Sequence, residues 1–315
     1  MCGLFGFINY SGGKIKGLAN LTNSLAEQSA IRGTDATGIA FCSGGNVKIL
    51  KESKSAYRLN FKHSEDARSV TGHTRHSTQG SEKRNYNNHP FPGKCNNARF
   101  ALAHNGVLSN DNELRKKFNL PKTKIETDSY IAVQLIESRK NLNFDSIKYM
   151  AEHTEGSFSY SILDNKDNVW LVKGDSPLSI LHFPEFKLYV YASTDEILYK
   201  ALVDLPETFR AIKNGEYEDI KINEGEILKI RPDGIIQRNT FKYSYYYGRG
   251  WWEYDSYLSA TSRALKKGYT RDDYINDLKS VAIHMGYTSD DVDALLYSGF
   301  DLDEIEDFMY CGGEI

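Results

Sequence analysis

The sequence predicts an α+β protein built of stacked β-sheets with helices packed on their outer faces. Three observations predict it. Short runs of aliphatic and aromatic residues recur between turn residues, most densely from 157 to 230. Segments with apolar residues at helical spacing interrupt these runs. The Ser43-Gly44-Gly45-Asn46 turn, flanked by two such runs, marks a hairpin. Strand-rich runs interleaved with helix pairs are the pattern of layered sheets.

Taken in order, residues 3–10 alternate loosely and predict a strand ending at Ser11-Gly12-Gly13. Residues 18–31 carry Leu18, Leu21, Leu25 and Ala26 at helical spacing, and Arg32-Gly33 stops that helix. Residues 39–42 and 47–51 are the arms of the hairpin. Residues 70–76 and 100–104 are short strand candidates. Residues 126–139 predict a helix whose start carries Thr127 and Asp128, and 143–153 predict a second. Further strands are expected at 158–163, 169–173, 178–182, 188–192 and 227–230.

A stretch rich in Tyr, Trp and Gly, from 243 to 254, breaks the pattern. It divides the chain into residues 2–240, a linker over 241–268 and a three-helix module over 269–315. Helices are expected at 271–284, 289–297 and 302–310. Each follows a Thr or Asp at the N-cap position, with glycine where the preceding helix stops. Residues 288–315 contain no Lys or Arg, so this face is acidic: a solvated surface or a dock for a basic partner. The aromatic run is either a linker packed on the main domain or an anchor for a partner, through Tyr245, Tyr246, Tyr247, Trp251 and Trp252.

The 315 residues are enough for about two domains. A formal charge of −3 and a pI near 6.3 argue against a general nucleic-acid binder. No apolar run approaches the roughly 18 residues of a membrane span, and the N-terminus lacks the charged and apolar regions of a signal peptide. The four cysteines, at 2, 42, 95 and 311, show neither paired nor metal-site spacing, so the reducing cytoplasm is the expected location. His73 and His76 are the only close pair of histidines, and no carboxylate or cysteine joins them at metal-ligand spacing. No metal or cofactor is called for.

The chemistry begins at Cys2. Once the initiator methionine is removed, its thiol and a free α-amine share one residue: a nucleophile beside a base whose ordinary pKa is roughly 7.7–8.0. Amide hydrolysis also needs an oxyanion hole and a grip on the substrate. Asn105-Gly106, in His104-Asn105-Gly106, offers a side-chain amide and an unhindered backbone N–H. A guanidinium such as Arg75 can hold a substrate carboxylate with a bidentate fork, and Asp128 can hold an ammonium. Read alone, each has a plainer meaning: a buried apolar cysteine, an Asn-Gly turn, two surface charges.

Read together, these segments carry a resemblance. They are Met1-Cys2-Gly3-Leu4-Phe5-Gly6-Phe7, Arg32-Gly33-Thr34-Asp35, Gly72-His73-Thr74-Arg75-His76-Ser77-Thr78-Gln79-Gly80, Asn88-His89-Pro90-Phe91, His104-Asn105-Gly106 and Glu126-Thr127-Asp128-Ser129. With later matches through Glu224-Gly225-Glu226-Ile227, the chain resembles the class II glutamine amidotransferases over about residues 2–235. The resemblance implies a four-layer αββα sandwich of the N-terminal-nucleophile hydrolases, and glutamine as substrate. It implies Cys2 as nucleophile and Asn105 and Gly106 as oxyanion donors. It places Arg75, Asp128 and Thr78 on the substrate, with Arg32 and His104 in support. Two positions depart from the family pattern. His76 stands where an aromatic residue is usual, and Gln79 where histidine is common. His284-Met285-Gly286-Tyr287 also resembles the loop of ubiquitin-associated-type three-helix domains.

Class II domains usually feed ammonia to a fused synthase. The chain carries no P-loop, no dinucleotide fingerprint and no complete ATP-pyrophosphatase loop. The expected acceptor is therefore a separate synthase or a small molecule, with the C-terminal module available for association with that enzyme or with a second copy. Two alternatives stay open: an amidase acting on another γ-glutamyl or amide substrate, and a non-catalytic binding protein that keeps the fold.

Overall fold

The structure is a computed structural model. It describes residues 2–13, 15, 17–63, 67–203 and 206–243, and in the C-terminal part 275–276, 278–279, 282–283, 287–298, 300 and 305. The chain divides into two compact units, Met1–Tyr246 and Tyr247–Ile315.

The first unit contains thirteen strands among its described residues: β1 Gly3–Asn9, β2 Ala36–Ser43, β3 Asn46–Glu52, β4 Ser69–Arg75, β5 Phe91–Lys94, β6 Arg99–Leu108, β7 Gly156–Asp164, β8 Val169–Lys173, β9 Ser179–Phe183, β10 Leu188–Ala192, β11 Glu218–Asp219, β12 Glu226–Ile230 and β13 Ile236–Thr240. Its helices are α1 Leu18–Ser29, α2 Asp111–Lys117, α3 Tyr130–Ser138, α4 Phe144–His153, α5 Asp195–Leu202 and α6 Pro206–Asn214. One sheet runs β11-β9-β10-β1-β4-β2-β3 and the other β13-β12-β8-β7-β6-β5. Every pairing in both sheets is antiparallel.

Three separate apolar layers establish the four-layer order. Phe5, Phe7 and Val70 of the first sheet pack with Leu21 and Leu25 of α1 and Leu198 of α5. Phe100, Phe158 and Tyr160 of the second sheet pack with Ile131 and Leu135 of α3 and Ile147 of α4. Between them, Ile8, Ala40 and Tyr191 face Ala101, Leu171 and Leu228. Helix, sheet, sheet and helix therefore stack as expected. Each fully buried Phe or Leu contributes roughly 1.5–3 kcal/mol.

Local sequence explains the elements. All seven residues of β1 are buried, because it is a central strand covered on both faces. β3 alternates between half-buried and exposed positions, as an edge strand does. Asn143 caps α4 with a reciprocal capping box to Ser146, and Thr194 caps α5.

Two expectations are corrected. The strand expected at 100–104 continues to Leu108, pairing with β7 out to Gly156, so Asn105-Gly106 lies inside a strand and is no turn. The helix expected from 126 begins only at Tyr130, leaving Thr127 and Asp128 in the segment before it. β5, β11, β13, α2, α5 and α6 were not read from the sequence. Phe241 and Tyr243, expected to open the linker, pack on the second sheet's core.

In the second unit, α7 (Ser289–Tyr297) occupies the expected residues, with a capping box from Thr288 to Asp291. Leu278, Ala282, Val292, Leu295 and Ile305 form its core. Of the other two expected helices, only 275–276, 278–279, 282–283 and Ile305 are described, all helical. The aromatic anchors from Tyr245 to Trp252, and His284, Met285 and Gly286, lie outside the described residues. No helix among the described residues is long and apolar enough to cross a membrane.

Candidate active site

The site lies where the start of β1, the end of β4 and the end of β6 meet the loops around 77–90 and 126–129. Cys2 leads into β1, and Gly3 pairs with Thr74 of β4, which sets Arg75 at the same end of the sheet. The Cys2 thiol is half-buried and donates to the His76 carbonyl at 3.5 Å. Burial pushes this thiol up, against the pull of that hydrogen bond and of the nearby Arg75 and Arg32 charges. Arg32 Nε donates to the Cys2 carbonyl at 2.8 Å. Asp35 braces the opposite flank: its carboxylate accepts from Ser77 N at 2.7 Å and its own N–H donates to the Arg75 carbonyl. A Cβ on Gly33 would come within 2.4 Å of the Arg75 carbonyl carbon, so only glycine permits this approach.

Arg75 is 3 % exposed. Nη1 donates to Asn88 Oδ1 at 2.7 Å, and Nη2 donates to the Gln79 and Gly80 carbonyls at 2.7 and 2.8 Å. Of its five N–H donors, these bonds engage three, so the full fork expected for a substrate carboxylate is partly committed within the protein. Lys51 Nζ reaches the same loop, donating to the Asn88 and Pro90 carbonyls. Burial, with Arg75 nearby, pulls this amine down to about 8.

On the facing sheet, Asn105 is 1 % exposed and its Nδ2 has no hydrogen-bond partner among the described residues. Leaving a buried donor unpaired costs about 1–3 kcal/mol, which argues for a ligand-facing role. Gly106 has φ +140°, and a Cβ there would lie 1.9 Å from the Ser157 carbonyl oxygen, so no other residue fits. Phe158, opposite Gly106, turns its N–H and C=O to Asp175 and Gly174 instead of to β6. On the far side of β6 from β7, the His104 carbonyl accepts from His73 Nε2 at 2.9 Å and Leu108 N donates to Asp128 Oδ2 at 2.6 Å. Ladder alternation puts the Gly106 N–H on that same side.

Asp128 is 4 % exposed, and Ser129 links it to His104: the Ser129 hydroxyl lies 3.4 Å from Asp128 Oδ1 and 2.8 Å from His104 Nδ1. His104 stacks on Tyr160, and burial holds it neutral against the pull of Asp128. The His73 and His89 rings pack against each other at 4.0 Å between centroids, tilted by 32°. Burial lowers His73 to about 3 and His89 well below its ordinary value. His73 therefore works as a neutral tie between the sheets, and among the described residues no group of side chains could hold a metal ion.

The remaining expected residues sit at the rim. Thr78 and His76 are exposed, and the Thr78 hydroxyl makes no hydrogen bond among the described residues. Gln79 is also exposed, and its Nε2 donates to the Glu126 carbonyl at 3.0 Å. Lys51, Asn87, Asn88 and Glu126 were missed as site residues. Asn88 and Glu126 fall within segments that carry the resemblance, Asn88-His89-Pro90-Phe91 and Glu126-Thr127-Asp128-Ser129, but the resemblance gave them no role, and nothing local marked Lys51 or Asn87.

Known proteins resemble this chain in sequence and fold. Residues 73–200 match the family described as "Glutamine amidotransferase domain". The chain is 33% identical over 253 residues to the glutamine–fructose-6-phosphate aminotransferase (isomerizing) of Staphylococcus epidermidis, covering 76% of this chain and 39% of that protein. The protein of the same name from Staphylococcus aureus is 29% identical over 258 residues, with the same coverage. The chain thus spans 39% of the length of these relatives. Among solved structures, the glutamine phosphoribosylpyrophosphate amidotransferase from B. subtilis, complexed with ADP and GMP, superposes with a TM-score of 0.57 at 21% identity, covering 78% of this chain and 50% of that one. An allosteric regulatory enzyme of purine biosynthesis superposes with a TM-score of 0.58 at 20% identity and the same coverage. At these identities the likeness is one of fold. Motifs, layers and family match agree, and the chain carries a glutamine amidotransferase domain of the class II kind.

Proposed function

We propose that this chain hydrolyses the side-chain amide of glutamine through Cys2 and releases ammonia to an acceptor synthase on a separate chain. The observation that carries the reading is the Asn105 amide: buried, one residue from Gly106, with its Nδ2 donor unpartnered. A buried donor of this kind suits a negative charge that exists only during reaction.

With Met1 removed, the Cys2 α-amine takes the thiol proton and Sγ attacks the amide carbon. Asn105 Nδ2 and the Gly106 N–H hold the resulting oxyanion. The α-ammonium then gives its proton to the amide nitrogen, the C–N bond breaks and ammonia leaves a γ-glutamyl thioester. Water attacks the thioester with the amine again as base, and glutamate departs as the thiol re-forms. Arg75 takes the α-carboxylate through its uncommitted N–H groups, with Thr78 at the rim, and Asp128 takes the α-ammonium. Arg32 steadies the Cys2 carbonyl, and His104 steadies Asp128 through Ser129.

The test is ammonia release by the purified full chain, with glutamine and a panel of γ-glutamyl amides. Glutamine should be the preferred substrate, Cys2→Ala should abolish turnover, and intact mass should show Cys2 as the first residue. Unchanged ammonia release by Cys2→Ala would end the proposal. Preference for another γ-glutamyl amide would redirect it to the amidase reading.

For the tail, we propose that residues 269–315 govern association with the acceptor enzyme or with a second copy, joined to the 2–240 domain by 241–268. The separate core around Leu278 and Val292 supports this reading. Because Phe241 and Tyr243 pack on the main core, the informative truncation is after Tyr246. The shortened chain should keep glutaminase activity and lose association, and an insoluble chain that loses no partner would refute the division.

A further inference from the structure

Asn87 and Asn88 are consecutive and buried, with 0 % and 1 % exposure. Each carboxamide reaches a different half of the substrate grip. Asn88 Oδ1 accepts from Arg75 Nη1 at 2.7 Å. Asn87 grips the segment leading to Asp128: its Oδ1 accepts from Glu126 N at 2.9 Å and its Nδ2 donates to Glu126 Oε2 at 2.8 Å. A carboxamide suits both tasks because it presents an acceptor and donors side by side.

Both side chains are in turn anchored from behind. Asn88 Nδ2 lies 2.8 Å from the Glu82 carbonyl and 3.1 Å from Asn85 Oδ1, and the Asn88 carbonyl accepts from Lys51 Nζ at 2.5 Å. Asn87 Nδ2 also reaches the Ser81 carbonyl at 3.1 Å, and Asn87 closes a short 3-10 turn over Asn85–Asn87. Consecutive Cα atoms are a fixed distance of about 3.8 Å apart. The Arg75 contact and the Glu126 contact thus hang from Cα atoms one peptide unit apart. Gln79 adds a parallel tie, with its carbonyl on Arg75 and its amide on the Glu126 carbonyl.

We propose that Asn87 and Asn88 are positioning residues that hold the Arg75 guanidinium and the Asp128 carboxylate at the separation of the two charges on an α-amino acid, and so select such substrates. This rests on the roles given to Arg75 and Asp128 above. Neither asparagine touches substrate. Asn88 acts through Arg75, and Asn87 through the backbone that carries Asp128.

The test compares kcat/KM of the full chain for three substrates. They are glutamine, its α-carboxamide, and the analogue with hydrogen in place of the α-ammonium. Wild type should favour glutamine over both. Asn88→Ala should cut the preference over the α-carboxamide about tenfold and leave the other preference within about twofold; Asn87→Ala should do the reverse. Asn88→Asp keeps an oxygen on Arg75 and should retain more discrimination than Asn88→Ala. Where an alanine variant fails to fold, Asn87→Ser and Asn88→Ser carry the same comparison with the same sign. An equal fall for all three substrates would overturn the inference while leaving the Arg75 and Asp128 assignments standing. A wild type indifferent to both charges would overturn those assignments and this inference together.

Discussion

Replacing Asn105 by alanine should separate catalysis from stability. In the resting protein Nδ2 is buried without a partner. Removing the amide relieves an unsatisfied donor worth about 1–3 kcal/mol. It also leaves a small void and lost contacts worth a comparable ~1–3 kcal/mol. The two effects oppose, so the net change in stability should stay within about 1 kcal/mol, or roughly 2–4 °C in Tm for a chain of this size. Turnover should behave differently. Loss of one oxyanion donor costs roughly 10²–10³ in kcat, about 2.7–4 kcal/mol of transition-state stabilisation. KM should change little, because the oxyanion is absent from the ground state. Steady-state ammonia release and thermal unfolding on the same preparation provide both numbers. A variant with normal kcat, one with only KM raised, or one whose lost activity follows a collapse in Tm would each refute the assignment.

Arg75→Lys and Asp128→Asn should act mainly on KM for glutamine, because each pairs with a charge already present in the ground state; a pure kcat effect would contradict their roles. Gly106→Ala should destabilise by about 2–4 kcal/mol, since its φ of +140° and the Ser157 carbonyl 1.9 Å from a Cβ both oppose any side chain; an unchanged denaturant midpoint would refute the strand geometry. His73 makes stability depend on acid. Its folded pKa, near 3, lies below an unfolded value of about 6.5, so the unfolded chain binds the proton between those values and the native protein does not. The contribution is whole above about pH 6.5 and declines as pH falls, by about 1.4 kcal/mol per unit, until it is gone below about 3. Urea unfolding at pH 7 and pH 5 should therefore show about 2 kcal/mol lost to this group, and a His73→Asn variant should lose that much less on acidification; equal acid sensitivity in both proteins would count against it.

The sequence by itself determined the type of most elements and the chemistry available to them. Periodicity is local, so α1, α4, α7 and the β2–β3 hairpin could be read from nearby residues alone. The identities of Cys2, Arg75, Asn105, Gly106 and Asp128 carried the reaction class for the same reason: functional groups are properties of residue types. What needed the tertiary structure was every question of who lies beside whom. Asn105-Gly106 read in isolation as a turn; only pairing with β7, some fifty residues later, keeps it in a strand and points its donors away from the ladder. Asp128 read as the start of a helix; its bond to Leu108 N holds it outside α3. Asn88 read only as part of Asn88-His89-Pro90-Phe91, and Asn87 carried no local signal. They are buried because three distant segments, at 51–53, 75–82 and 126, close around them and satisfy their carboxamides. Burial and hydrogen-bond satisfaction are sums over neighbours far apart in the chain, so no local pattern encodes them.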